Sequence, residues 1–301
     1  MEKKKNVVIT GALGQDGIIL SKLLIKKKYN IYGVVKKLNK KKIKGVNYST
    51  VNILDYRRFS NYIKKVKPHA LLHLGTENPN YLELKKKKDF YKKNLKTTKK
   101  LIDYFSKYLP NKKLILIGSS QMYGPSSKKV NLNSEFNPGN SYARFRVESY
   151  NYMVKRKKID NSKMVTAILF NHDSSFRKKK FLIPRLVKLI KLKNFNKLNE
   201  IYETNVSADF SHAEDICYGL YKLMISKYSP DKLIFSSNKR TYINDIIYLL
   251  LKKNKIKYNF TNKVKSNSST PIGDNKFTSR LLNWFHKKNI FAAAKELNLK
   301  F

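Results

Sequence analysis

Asn6–Thr10 (NVVIT) is short, apolar and β-branched, and from Gly17 onward Ile18, Leu20, Leu23 and Leu24 recur at helical spacing; between them lies Thr10–Gly17, TGALGQDG. Glycines three apart, where a strand gives way to a helix, suit a main chain that must pass close to something else. Gly11 permits a tight turn, Gly14 lets the backbone approach a pyrophosphate, and Gly17 lets helix and strand pack closely. The helix N-terminus adds unpaired N–H groups and the positive end of a dipole. The run predicts a dinucleotide site, with Gln15 and Asp16 in the same loop.

The pattern continues along the chain. Tyr29–Val35, Val46–Val51, Ala70–Leu74, Lys113–Gly118 and Met164–Phe170 read as strands, and Gly17–Lys28, Tyr56–Lys67, Phe90–Tyr108 and Tyr142–Lys158 as the helices among them. Asp55 stands where it would cap the helix that follows. Apolar strands separated by helices predict an α/β fold, a doubly wound parallel sheet covered on both faces, with ligands at the carboxyl ends of its strands. Asn262–Thr270 reads as a surface loop.

Charge is a weaker guide. Lys+Arg total 65 against 20 Asp+Glu, a formal charge of +45, and only nine of the 65 are Arg. The lysines are scattered as pairs and triplets through every segment, without a stripe or arm, and bidentate phosphate recognition favours Arg. Compositional drift accounts for them better than a nucleic-acid partner does, although such a field steers an anionic substrate inward. No long uncharged apolar run suggests a membrane span. The single cysteine, Cys217, excludes an intrachain disulfide, so a reducing, cytoplasmic compartment is expected.

At the end of the second strand an acidic residue would bind the ribose hydroxyls of NAD; here Val35 is followed by Lys36 and Lys37, which suit the 2′-phosphate of NADP. NAD stays open as the alternative. Asn52 and Ile53, after the third strand, fall where an adenine would lie. The strand Lys113–Gly118 ends in Ser119-Ser120-Gln121-Met122-Tyr123-Gly124, and a later helix opens with Tyr142 and carries Arg146 one turn on. A hydroxyl at a strand end, with a phenol and a cation on one helix face, can move a proton to or from a carbinol oxygen while a nicotinamide exchanges the hydride.

Together these motifs make the chain similar to the extended short-chain dehydrogenases/reductases (the NAD-dependent epimerase/dehydratase family) that act on nucleotide sugars. TGALGQDG, HLGTENPN at His73–Asn80, SSQMYG, NSYARFR at Asn140–Arg146, ILFNHDS at Ile168–Ser174, DFSHAED at Asp209–Asp215 and NWF at Asn283–Phe285 carry the resemblance. It is nearest to the GDP-mannose 4,6-dehydratase branch. The resemblance implies a Rossmann sheet over residues 1–170 with a returning segment at 204–236, including a strand at Lys232–Ser236, and a smaller substrate-binding part from 171–203 and 237–301. It implies that Gly11, Gly14, Gln15, Asp16 and Gly17 wrap the pyrophosphate, that Leu74 and Gly75 pass beside a ribose, and that His172 and Arg177 touch the cofactor. Ser119 would hold the substrate hydroxyl, Tyr142 would be the acid/base, and Ser120, Asn171 and Arg185 would contact the nucleotide sugar, a GDP-sugar by preference. No metal is implied. Asp209, His212 and Asp215 read as structural. Relatives commonly pair through the Tyr helix, so a homodimer or higher homo-oligomer is expected.

Two departures bear on the chemistry. Where the family has Lys four residues after the Tyr, this chain has Arg146. Where dehydratases place a Glu two residues after the Ser, this chain has Gln121, and an amide is no base near neutral pH. Dehydratase chemistry is therefore weighed against a 4-keto-sugar reductase or epimerase on the same scaffold, and against a homologue impaired in catalysis by Gln121 and Arg146.

Overall fold

The computed structural model describes residues 4–38, 42–76, 88–126, 128–260 and 269–300; Glu77–Asn80 of the HLGTENPN run and most of the Asn262–Thr270 stretch lie outside the described residues. The first part of the chain alternates strand and helix: β1 (Asn6–Thr10), α1 (Gln15–Lys26), β2 (Asn30–Val34), β3 (Val46–Ser49), α2 (Tyr56–Val66), β4 (Ala70–His73), α3 (Lys88–Tyr108) and β5 (Lys113–Ser119). A 3-10 turn at Ser120–Tyr123 and the short β6 (Lys129–Val130) lead to α4 (Ser141–Asp160) and β7 (Met164–Leu169). Then come β8 (Asn171–Asp173), α5 (Leu182–Lys191), α6 (Phe195–Glu203), β9 (Ser207–His212), α7 (Ala213–Ile225), β10 (Lys232–Phe235), β11 (Arg240–Tyr242), α8 (Ile243–Lys253), β12 (Ile272–Gly273), α9 (Lys276–Leu282) and α10 (Ile290–Lys300).

The main sheet has seven strands in the order β10-β7-β5-β4-β1-β2-β3, and every neighbouring pair is parallel. Period-two alternation makes it doubly wound. On β1, Val7 and Ile9 pack with Leu20 and Leu24 of α1 and Ile216 and Leu220 of α7. Val8, on the opposite face, joins Phe59 and Ile63 of α2, Ile102 and Phe105 of α3 and Met153 of α4. The chain leaves β1 toward β2 and β3 and returns on the other side to β4, so the strand order reverses between β1 and β4. The carboxyl ends of these two strands, Thr10 and His73, are in register; they open the crevice where such sheets bind ligands.

A second sheet of three strands, β11-β9-β8, stands beside the first. It packs with α5, α6, α8 and α10 around Ile183, Leu186, Leu198, Phe210, Ile246, Leu250 and Leu297. The 204–236 stretch is thus shared: β9 lies in the small sheet, whereas α7 covers the large one and β10 extends it. Asp209, fully buried on β9, accepts hydrogen bonds from Ser237 N and Oγ (both 2.7 Å), Asn238 N (3.0 Å) and Gly273 N (3.2 Å). Burial pushes its pKa up to about 6 despite these donors. His212 is the N-cap of α7, accepting from Glu214 N, and Asp215 accepts from Lys287 N at 2.7 Å. No described helix is long and apolar enough to cross a membrane.

Candidate active site

Gly11 has φ of +70°, the left-handed region that favours glycine, and its N–H donates to Val34 O at 2.8 Å, which seats the loop beside the end of β2. Gly14 is the N-cap of α1, and no side chain caps that helix, so its opening N–H groups have no capping side-chain acceptor. A Cβ on Gly17 would lie 2.5 Å from Gly11 O and 2.6 Å from Ala12 Cα, both backbone atoms that cannot swing aside. Gly17→Ala is therefore expected to displace the loop, to cost about 1–3 kcal/mol of stability as overpacking does, and to weaken cofactor binding. Thermal unfolding and cofactor titration of the variant check both effects.

From β4, Gly75 N–H donates to Thr10 Oγ1 at 2.8 Å, and the Thr10 hydroxyl lies 3.1 Å from His73 Nδ1. With one proton and a second lone pair still available after accepting from Gly75, the Thr10 hydroxyl can pair with Nδ1 of the His73 ring in either tautomer. Burial, and then the positive charge of Arg146, push the His73 pKa down to about 3. This buried relay holds Leu74 and Gly75 against the glycine loop.

Opposite the loop, β8 presents His172. Its Nε2 is 3.1 Å from Asp16 Oδ1, and its Nδ1 is 2.7 Å from Phe170 O. Both ring nitrogens face acceptors, which the imidazolium satisfies and a neutral ring does not. Burial works against the charge on each partner. Asp16 nonetheless outweighs it and raises the His172 pKa, while His172, with Arg177 behind it, holds Asp16 down to about 2. Gln15 Nε2 donates to His172 O (3.2 Å), Ser174 Oγ donates to Gln15 Oε1 (3.1 Å), and Arg177 pairs with Asp173 at 2.7 Å. The glycine loop is thereby tied to the small sheet. The raised His172 contributes stability that is whole below the ordinary imidazole range and lost as pH rises through its raised value. The lowered Asp16 contributes stability that is whole above the ordinary carboxylate range and lost as pH falls through about 2. Thermal melts from about pH 6 to about pH 9 should show the unaltered protein losing stability as pH rises, with that slope flattened in His172→Gln.

The remaining wall comes from the end of β5 and the start of α4. Asn140, in extended conformation, caps α4 by accepting from Ala143 N at 2.9 Å, and this fixes where Tyr142 emerges. Tyr142 is 3% exposed and packs edge-on against Tyr91, centroids 5.8 Å apart. One turn on, the Arg146 guanidinium sits 5.1 Å from the Tyr142 ring centroid and 5.0 Å from that of Phe145, and donates to Thr76 Oγ1. Its Nε is buried without a partner among the described residues. Ser119 Oγ accepts from Gln121 N at 3.3 Å, which leaves the serine proton free to donate. Gln121 Oε1 accepts from Asn140 Nδ2 at 3.0 Å.

One cleft thus gathers Asp16, Leu74, Ser119, Ser120, Gln121, Tyr142, Arg146, Asn171, His172 and Arg177, from segments far apart in the chain. Gly11, Gly14, Gln15, Gly17 and Gly75 are not among the residues lining it; they adjoin it at the switch point, where Gly11 packs against Gly75 and Gln15 is bonded to the main chain of the lining His172. Lys36 is exposed just past β2; Asn52 is exposed, its Oδ1 accepting from Leu54 N; Ile53 packs against the core behind. Arg185 is exposed on α5 and is not among the residues lining the cleft. The sequence motifs do not mark Thr76, Asn140 or His73 as site residues. Asn140 carries a signal that finds it, an Asn directly before a helix; Thr76 and His73 act through partners distant in sequence and carry none.

Among the described residues lining the cleft, Asp16 is the only carboxylate, and it is bound to His172. The arrangement offers donors and a buried phenol, and no free carboxylate from those residues.

The GDP-mannose 4,6 dehydratase of Dictyostelium discoideum is 21% identical over 273 residues, 82% of this chain and 75% of that protein. Two solved structures share the fold. UDP-glucose 4-epimerase from Brucella ovis in complex with NAD has a TM-score of 0.82 at 15% identity, over 99% of this chain and 98% of that one. dTDP-glucose 4,6-dehydratase from Bacillus anthracis in complex with NAD has a TM-score of 0.78 at 14% identity, over 98% and 96%. The family model for GDP-mannose 4,6 dehydratase matches residues 8–290, almost the whole length, and the chain belongs to that family.

Proposed function

We propose that the chain is a nicotinamide-dependent enzyme of nucleotide-sugar chemistry that acts at the C4 carbinol of the sugar and does so without eliminating water across C5–C6. The observation that carries this reading is the pairing within one cleft of a buried Tyr142, with Ser119 and Arg146 beside it, and an amide, Gln121, where a dehydratase needs a base. The residues fit a dinucleotide: the glycine loop lets the main chain come close, no side chain caps the start of α1, and the Nε of Arg146 is buried without a partner among the described residues. A bound nicotinamide supplies or takes the hydride. Tyr142 holds the proton at the C4 oxygen, and Ser119 Oγ, its lone pair engaged by Gln121 N–H, donates to the same oxygen. Arg146 sets a positive charge beside the ring, where it offsets the negative charge Tyr142 carries once its proton is given up.

The cofactor is read as NADP. The exposed Lys36 and Lys37 follow β2 with no acidic side chain at that strand end. NADP(H) should bind more tightly than NAD(H), and replacing both lysines with Ala should remove most of the difference; fluorescence titration giving equal affinities for the unaltered protein would sink this. The substrate is read as a GDP-linked hexose, from the family, and the assembly as a homodimer paired through α4, which sedimentation at moderate ionic strength tests.

The function itself is tested by incubation with GDP-, UDP- and dTDP-hexoses and with a 4-keto-6-deoxy nucleotide sugar, with and without NADPH, followed by NMR. Turnover at C4 of at least one is expected. No turnover of any, with cofactor bound, would leave only a binding protein.

A further inference from the structure

Asn140 and Gln121 meet side chain to side chain, and the polarity of their contact is set at one end. Ala143 N–H is a backbone donor that cannot act as an acceptor, and it donates to Asn140 Oδ1 at 2.9 Å. The Asn140 amide must then turn Nδ2 outward, and Nδ2 donates to Gln121 Oε1 at 3.0 Å. An amide between ambivalent neighbours can be turned over freely; here the backbone forbids it. Gln121 is left with Nε2, which has no acceptor among the described residues, on a side chain that lines the cleft next to Ser119.

We propose that Asn140 orients Gln121 as a hydrogen-bond donor to the sugar, so that the site selects a nucleotide hexose with an acceptor oxygen on a carbon flanking the one oxidised or reduced. The proposal rests on the reading of the cleft given above and adds to it a specificity-determining residue and a residue that positions it. Ser119 Oγ accepts from the main-chain N–H of Gln121 at 3.3 Å, and both residues line the same cleft, so a sugar oxygen held by Ser119 lies in the cleft that the Gln121 side chain also borders. A hydroxyl or carboxylate flanking the reacting carbon accepts from Nε2; a methyl or methylene leaves that donor unpaired.

Asn140→Asp is the discriminating variant. Asp caps a helix as well as Asn does, so Ala143 N–H keeps its acceptor and α4 its start. The introduced carboxylate has no hydrogen to give Gln121 Oε1, so the Gln121 amide turns over, with Nε2 donating to that carboxylate and Oε1 facing the cleft. With isotope-labelled glutamine, the Gln121 side-chain signal is identified by its loss in Gln121→Met. In the unaltered protein its amide hydrogens should exchange with deuterated water as an exposed amide does, and Asn140→Asp should slow the bonded one by about tenfold or more. By calorimetry with GDP-mannose, UDP-glucose and dTDP-glucose on the cofactor-loaded protein, the tightest of the three should bind roughly threefold to tenfold more weakly in both Asn140→Asp and Gln121→Met, with the melting temperature of Asn140→Asp unchanged. Unchanged exchange in Asn140→Asp overturns the orientation. Unchanged affinity in both variants overturns the contact with the sugar. Binding of none of the three sugars by the unaltered protein overturns the nucleotide-sugar reading instead, while the exchange result still decides the orientation.

Discussion

Tyr142→Phe should lower turnover at the sugar carbinol by roughly 10²–10⁴, the usual worth of a positioned acid/base group, and leave folding and cofactor binding nearly intact. The expectation follows from how the ring is held. Tyr142 takes its position from packing on Tyr91, from Arg146 beside its ring, and from the Asn140 cap at the start of α4. Phe keeps each of these contacts and loses only the hydroxyl. The glycine loop and the His172–Asp16 pair lie on other elements and are untouched. Steady-state rates of the two proteins on any sugar that turns over, with cofactor affinities alongside, give the comparison. Full activity in Tyr142→Phe would mean that the proton travels by another route.

The large sheet is legible in the sequence because its strands are apolar runs separated by helices of clear period. The structure reproduces them with ends shifted by at most two residues. The shift at α1 has a cause: Gly14 is itself the cap, so Gln15 and Asp16 belong to the helix. The small sheet is not legible. β8 and β11 are three residues each, largely polar, and pair with β9 across long separations, so no local period betrays them. The site divides in the same way. Ser119, Tyr142, Arg146 and His172 stand in recognisable motifs and converge on one cleft. What the motifs could not convey is polarity: that the charge of His172 is matched by Asp16, that Thr10 links His73 to Gly75, and that Asn140 turns the Gln121 amide. Each depends on a partner brought in by tertiary structure.

Gln121→Glu should have the largest gain. Elimination across C5–C6 needs a base for the C5 proton and then an acid for the departing hydroxyl. A carboxylate serves as both in turn, and an amide as neither at ordinary pH. Within the SSQMYG segment nothing replaces it. Ser119 accepts Gln121 N–H, Ser120 is a buried hydroxyl, Met122 is a buried thioether, and Tyr142 on α4 is, in the proposed reaction, committed to the C4 oxygen. Asp16 is held ionised, but by His172. The position is ready for Glu, since Asn140 Nδ2 would donate to a carboxylate oxygen as it now does to Oε1. The direct measurement is NMR of GDP-mannose incubated with cofactor and either the unaltered protein or Gln121→Glu, read at the 6-methyl signal of a 4-keto-6-deoxy product. The unaltered protein should form little or none and Gln121→Glu measurably more; robust formation of that product by the unaltered protein would contradict the account and place the base elsewhere in the cleft.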